Sequence, residues 1–124
     1  MAGAIYDKSL DFAVKMLGLS KELRQLKEFE LASQILRSGT AIGANIAEAK
    51  YAQSNKDFVS KMAIARKEAN ETMYWLTLLV KSETLQSETL RPLAGELNQL
   101  IKILTSIILT SEAKNKKQGT SDYS

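Results

Sequence analysis

One proline, at position 92, and six glycines are the only residues in this 124-residue chain that characteristically break helices. Stretches so rarely broken favour helices over a turn-rich β fold. The apolar spacing agrees. Leu90, Leu93, Leu97, Leu100, Leu104 and Ile107 step by three and four residues, which is the a/d seam of a helix packed lengthwise on neighbours. Ile101, Ile103, Ile108 and Leu109 flank that seam, so the apolar face is wider than one bundle core needs. Ser87 or Thr89 caps this last helix. Pro92 then falls in its first turn or so, where the missing N–H matters least.

Three further helices precede it. Residues 5–18 carry Ile5, Leu10 with Phe12 and Ala13, then Met16 and Leu17 at helical spacing, and Gly18 offers a stop. Residues 19–27 are polar and read as a connector, a helical turn or the start of the next helix. The second helix spans about 28–52, with Phe29, Ala32, Ile35, Leu36, Ile42 and Ile46 on its apolar face. Gly39 and Gly43 each cost such a helix about 1 kcal/mol against Ala. Their spacing marks either the close approach of a neighbouring helix or a break near Gly39–Thr40. Ser54 caps the third helix, with Asp57 three residues on, close to a capping box. That helix runs to about Lys81–Ser82 through Phe58, Met62, Ala65, Ala69, Leu76, Leu79 and Val80.

Four helices joined by short loops make an all-α, antiparallel up-down four-helix bundle. The length holds one domain, over residues 1–111. Beyond Ser111 the apolar period is lost, and residues 112–124 read as a basic, disordered tail.

Composition removes whole classes of chemistry. There is no cysteine and no histidine, hence no disulfide, no thiolate or imidazole metal site, and no Ser-His or Cys-His pair. Glu48, Glu68, Glu71 and Glu96 could in principle form a carboxylate cage like that of a di-iron bundle, but such bundles use Glu-x-x-His pairs. Gly39-x-x-x-Gly43 lacks the Lys-Ser/Thr of a phosphate loop. No catalytic residue, metal ligand, cofactor or small-molecule substrate is evident. No continuous apolar run reaches the roughly 18–20 residues of a membrane span, and the first residues do not form a secretory signal. The expected location is the cytoplasm, away from membranes.

The net charge of +3 is unevenly spread. Between Arg37 and Lys67 six basic residues face two acids, a local charge of +4. Lys50, Lys56, Lys61, Arg66 and Lys67 are therefore the candidate contacts to nucleic-acid phosphates, with Lys114, Lys116 and Lys117 assisting. A solvated charged face is the plainer alternative. Tyr74 and Trp75 are candidates for stacking on bases or for packing in the core or a subunit interface. Arg37, Asn45 and Glu48 fall along one stripe of the second helix. An antiparallel third helix brings Arg37 opposite Glu71 or Asn70, and Asn45 and Glu48 near the hairpin, with Lys61 and Arg66 as available cations. These residues form the candidate structural polar network.

RSGTAIGANIAEA, followed by SNKDFVSKMAIARKEANET, closely resembles the bacterial four-helix-bundle proteins encoded in intervening sequences of 23S ribosomal RNA genes. The matching positions are Arg37, Ser38, Ile42, Asn45, Ile46, Ala47 and Glu48, then Ser54, Asp57, Phe58, Ile64, Ala65, Ala69 and Glu71. Ala49 stands where the family usually has Gly. The resemblance spans about residues 5–110. It implies a four-helix bundle assembled as a ring-like homopentamer, which the surplus apolar face of the last helix suits. It also implies kinship with the accessory variability protein of diversity-generating retroelements, a basic bundle that works with a reverse transcriptase and nucleic acid. The expected function is a non-enzymatic oligomeric scaffold that binds RNA or a nucleoprotein through basic residues of helices two and three. The alternative is a protein-interaction module using the wide apolar face of helices three and four.

Overall fold

A computed structural model describes the backbone of residues 2–122 and the side chains of residues 3–117. Four helices follow one another: α1 (Ala2–Gln25), α2 (Phe29–Ala49), α3 (Asn55–Lys81) and α4 (Ser87–Asp122). No strand occurs among the described residues. Each helix packs antiparallel on the next, and α4 closes back on α1 along the thinnest seam. The result is an up-down four-helix bundle.

The core is built from one stripe of each helix. α1 contributes Ile5, Phe12, Met16, Leu19 and Leu23, and α2 contributes Ala32, Ile35, Ile42 and Ile46. From α3 come Met62, Ala65, Ala69, Leu76 and Leu79, and from α4 Leu90, Leu97, Leu100, Leu104 and Ile108. Burying each large apolar side chain contributes about 1.5–3 kcal/mol.

α1 differs from its sequence reading. It does not stop at Gly18 but runs a further seven residues to Gln25, because Leu19 and Leu23 prolong the buried stripe. Buried Ser20 keeps its hydroxyl satisfied on the Ala32 carbonyl of α2, at 3.0 Å. The stripe itself is shifted. Leu10 and Leu17, which the periodicity assigns inward, point outward, while Ile5, Phe12 and Met16 of the same reading are buried and Ser9 joins them.

Gly39 and Gly43 mark a close helix approach and no break, since α2 is continuous. A methyl group on Gly39 would overlap Met16 Cγ of α1, and one on Gly43 would lie 3.1 Å from Ser9 Oγ. Behind this contact, buried Ser38 and Thr72 bring their hydroxyls 2.9 Å apart across α2 and α3. Ser54 caps α3 by accepting from the Asp57 amide at 3.0 Å, and the Asp57 carboxylate accepts from the Gln53 amide at 3.2 Å.

α4 also exceeds its expected length. Residues 112–122, expected as a disordered tail, continue the helix through Asp122, and residues 123 and 124 lie outside the described ones. Asn55, at the start of α3, donates to the Ser111 carbonyl at 2.8 Å and to Asn115 Oδ1 at 2.7 Å, which fixes the helix past Ser111. Within Ser87–Lys117, an 18-residue window reaches a mean hydropathy of 1.2, enough to cross a membrane by length and composition alone. Its longest apolar cluster, Leu100 to Leu109, is interrupted by Lys102, Thr105 and Ser106. Its apolar residues are those of a bundle seam, with Leu97, Leu100 and Leu104 buried against the other helices.

Candidate nucleic-acid interface

The polar stripe of α2 meets α3 as an ion-pair network. Arg37 pairs with Glu71 and, at 3.4 Å, with Glu68. Gln34 accepts from Arg37 Nη2 at 3.2 Å. Glu71 Oε2 also accepts from the Trp75 indole N–H at 3.1 Å, so one carboxylate oxygen serves both the guanidinium and the indole. The network fixes α2 against α3 by direction more than by energy, because half-exposed ion pairs contribute about 0–1 kcal/mol. Asn45 stays out of it and donates to the Ala41 carbonyl of its own helix at 2.8 Å. Glu48 pairs with Lys61 across the α2–α3 hairpin at 3.3 Å. Gln34 and Glu68 were not named for this network in the sequence. Glu68 was legible in principle, lying one turn before Glu71 on the same side of α3.

The five candidate phosphate contacts do not form one patch. Lys61 is turned toward α2 by Glu48. Arg66 is turned toward α4, where it donates to Thr105 Oγ1 at 3.4 Å. Lys56 and Lys67 are exposed on the outer face of α3, eleven residues and so about three turns apart. Lys50 is exposed as the C-cap residue of α2. The positive segment therefore radiates in three directions, as any run of charges on a 3.6-residue period must.

A different grouping arises from the fold. The Asn55 bridge holds the Ser111–Asn115 turn of α4 beside the first turn of α3. Exposed Lys114 then shares one end of the bundle with exposed Lys50 and Lys56. This joins charges 58 residues apart in sequence, Lys56 and Lys114, and nothing in the local pattern around Asn55 announces it.

The aromatic pair is split between roles. Trp75 is half-buried and bonded to Glu71, whereas Tyr74 is exposed and edge-on to it, with ring centroids 5.1 Å apart. The four carboxylates of the imagined metal cage are divided among three cations: Glu68 and Glu71 face Arg37, Glu48 faces Lys61, and Glu96 faces Lys15. No group of three or more acidic residues suited to a metal ion occurs among the described residues.

Comparison with known proteins agrees with the architecture. The family model of the 23S rRNA-intervening sequence protein matches residues 3–106. A solved structure of a protein with unknown function from the S23 ribosomal protein family of Bacteroides thetaiotaomicron superposes with a TM-score of 0.82. It shares 50% sequence identity, over 84% of this chain and 97% of its own. Among curated proteins nothing matches. The matched span includes the whole Arg37–Glu71 network and reaches past the middle of α4, and the chain belongs to the 23S rRNA-intervening sequence protein family.

Proposed function

We propose that the protein is a non-enzymatic, self-associating helical-bundle scaffold of the cytoplasm that holds RNA or a nucleoprotein through its phosphate backbone. The observation that carries the nucleic-acid part is the Asn55 bridge, which gathers Lys50, Lys56 and Lys114 at one end of the bundle. These are cations without base-reading geometry, suited to sequence-independent phosphate contact. Lys67 extends the surface along α3, while Lys61 and Arg66 belong to the packing between helices. Self-association, in a ring-like homopentamer, repeats this small patch and raises the effective affinity of a chain whose net charge is only +3. The exposed apolar residues Leu10, Val14, Leu17, Ile64 and Leu109 support it.

The test compares two variants for binding labelled structured RNA at about 50 mM salt. Lys50→Gln/Lys56→Gln/Lys114→Gln abolishes binding on this reading, and Lys61→Gln/Arg66→Gln retains most of it. Equal loss in both, or loss in neither, contradicts the assignment.

A second reading, docking of another protein on α3 and α4, draws on a specific groove. Met73, Leu76, Thr77, Val80, Leu90 and Ala94 line an apolar cleft of about 420 Å³ near the α3–α4 loop. Under that reading the wild-type chain shows no RNA binding at low salt, and Val80→Glu abolishes capture of its protein partner.

A further inference from the structure

Glu96 of α4 is only half satisfied. Its Oε1 accepts from Lys15 of α1. Its Oε2 is closed off from solvent and has no hydrogen-bond partner among the described residues. A charged acceptor taken out of water without a donor carries its full desolvation penalty, so this oxygen calls for a donor from outside the chain. A cavity lies against it. Between α1 and α4, at the thinnest seam of the bundle, about 170 Å³ is enclosed by Glu96, Gln99 and Leu100 on one side and by Lys8, Asp11, Phe12 and Lys15 on the other. A cavity of about 150 Å³ is enough to hold benzene, a ligand of six heavy atoms.

The other polar groups of the cavity are also unspent. Lys8, Asp11 and Gln99 have no ion pair or side-chain hydrogen bond with any described residue. Lys8 and Asp11 lie one turn apart on α1, as do Glu96 and Gln99 on α4. Phe12 and Leu100 are buried and give the cavity an apolar inner wall. Two ammonium groups and two carboxylates leave the whole neutral. With Lys15 engaged by Glu96, two acceptors stay open, Glu96 Oε2 and the Asp11 carboxylate, and two donors, the Lys8 ammonium and the Gln99 amide. A simple cation here would face Lys8 and Lys15, and a simple anion would face Asp11 and Glu96. A molecule carrying both charges satisfies the acceptors and the donors together and keeps the cavity neutral.

We propose that the α1–α4 cavity binds a small free amino acid as its zwitterion. The ligand ammonium donates to Glu96 Oε2 and to the Asp11 carboxylate. The ligand carboxylate accepts from the Lys8 ammonium and the Gln99 amide. A short aliphatic side chain rests on Phe12 and Leu100. Alanine, with its six heavy atoms, suits the volume. None of these residues belongs to the Lys50, Lys56 and Lys114 group, so the site is independent of phosphate contact. The ligand bridges α1 and α4 where the bundle is thinnest, and its binding is therefore read as stabilisation of the fold.

The test titrates the full-length protein with L-alanine up to about 10 mM, following the melting midpoint and the backbone amide NMR shifts. The midpoint is expected to rise with concentration, and the shifts to concentrate in residues 8–15 and 96–100. Ethylammonium and propanoate, the two halves of alanine, are each expected to bind at least about tenfold more weakly. Lys8→Gln and Glu96→Gln should each weaken alanine binding about tenfold or more, while Lys102→Gln, outside the cavity, leaves it unchanged. Lys8 is exposed, so its variant keeps the fold, and unchanged helix content by circular dichroism shows the same for Glu96→Gln. No rise and no shifts at about 10 mM would mean that water alone fills the cavity, which overturns the proposal. Binding unchanged in Lys8→Gln and Glu96→Gln, shifts centred elsewhere, or one half of alanine binding as tightly as the whole overturns it as well.

Discussion

Gly18 and Gly39 both sit inside continuous α-helices, and their surroundings give them opposite consequences. Nothing stands within 4 Å of a methyl group placed on Gly18, whereas one on Gly39 meets the Met16 side chain near its root. Gly18→Ala should therefore raise stability by about 0.5–1 kcal/mol through helix propensity alone. Gly39→Ala should lower it by about 1–3 kcal/mol, as overpacking does in a filled core. Urea denaturation of the two variants checks the contrast, and a gain at both positions would mean that α1 and α2 have room to separate. The residues that end α1 and α3 offer the same kind of test. Lys27 and Glu83 hold left-handed conformations, φ 63° and 59°. The amides that follow them reach back five residues, to Leu23 and Leu79, the pattern of a helix end closed by a residue that is usually Gly. Replacing either by Gly should stabilise the fold by up to about 1 kcal/mol. The sequence offered Gly18 as the stop and two charged residues as the true ones. Residue type was a poor guide here, because the buried stripe decided where α1 could end.

At the level of elements, the helix count, the order and the α2–α3 hairpin were legible from periodicity and from the Ser54 cap. The two outermost helices were not. α1 has apolar residues on two faces, so its period fits either stripe, and only packing shows that Phe12 is inside and Leu10 outside. α4 loses its apolar pattern after Ser111, yet the backbone continues because a side chain of another helix holds it. Asn55→Ala should remove both of those bonds. Amide hydrogens of residues 112–117 are then expected to exchange faster than in the wild type, with those of residues 97–104 unchanged. Uniform acceleration along α4 would show that the bridge has no local role. The α2–α3 network has its own reporter, since Trp75 is the only tryptophan in the chain. Glu71→Gln keeps an acceptor for the indole while removing the charge facing Arg37. Glu71→Ala removes both. A change in Trp75 emission for the Ala variant that the Gln variant does not share is the expected outcome, with stability lowered by about 0.5–1.5 kcal/mol in the Ala variant.

On the scale of the whole molecule, exposed apolar residues run along α1, at Leu10, Val14 and Leu17, and Tyr51 lies exposed beside Lys50. The apolar stripe of α1 lies on the flank of the bundle, and the Lys50, Lys56 and Lys114 group lies at one end. Of the candidate interface, the residue types were readable from the sequence and their grouping was not. The run from Arg37 to Lys67 is basic in one dimension, but the helical period and the Lys61–Glu48 ion pair disperse it in three. The most direct test of the scaffold reading is the salt dependence of wild-type binding to structured RNA, titrated between about 50 and 200 mM. Three phosphate contacts per chain predict a log–log slope of about −2 to −3 for each chain engaged, and a steeper slope for an assembly. Binding that is absent at 50 mM, or that ignores salt, would contradict a role built on phosphate contact.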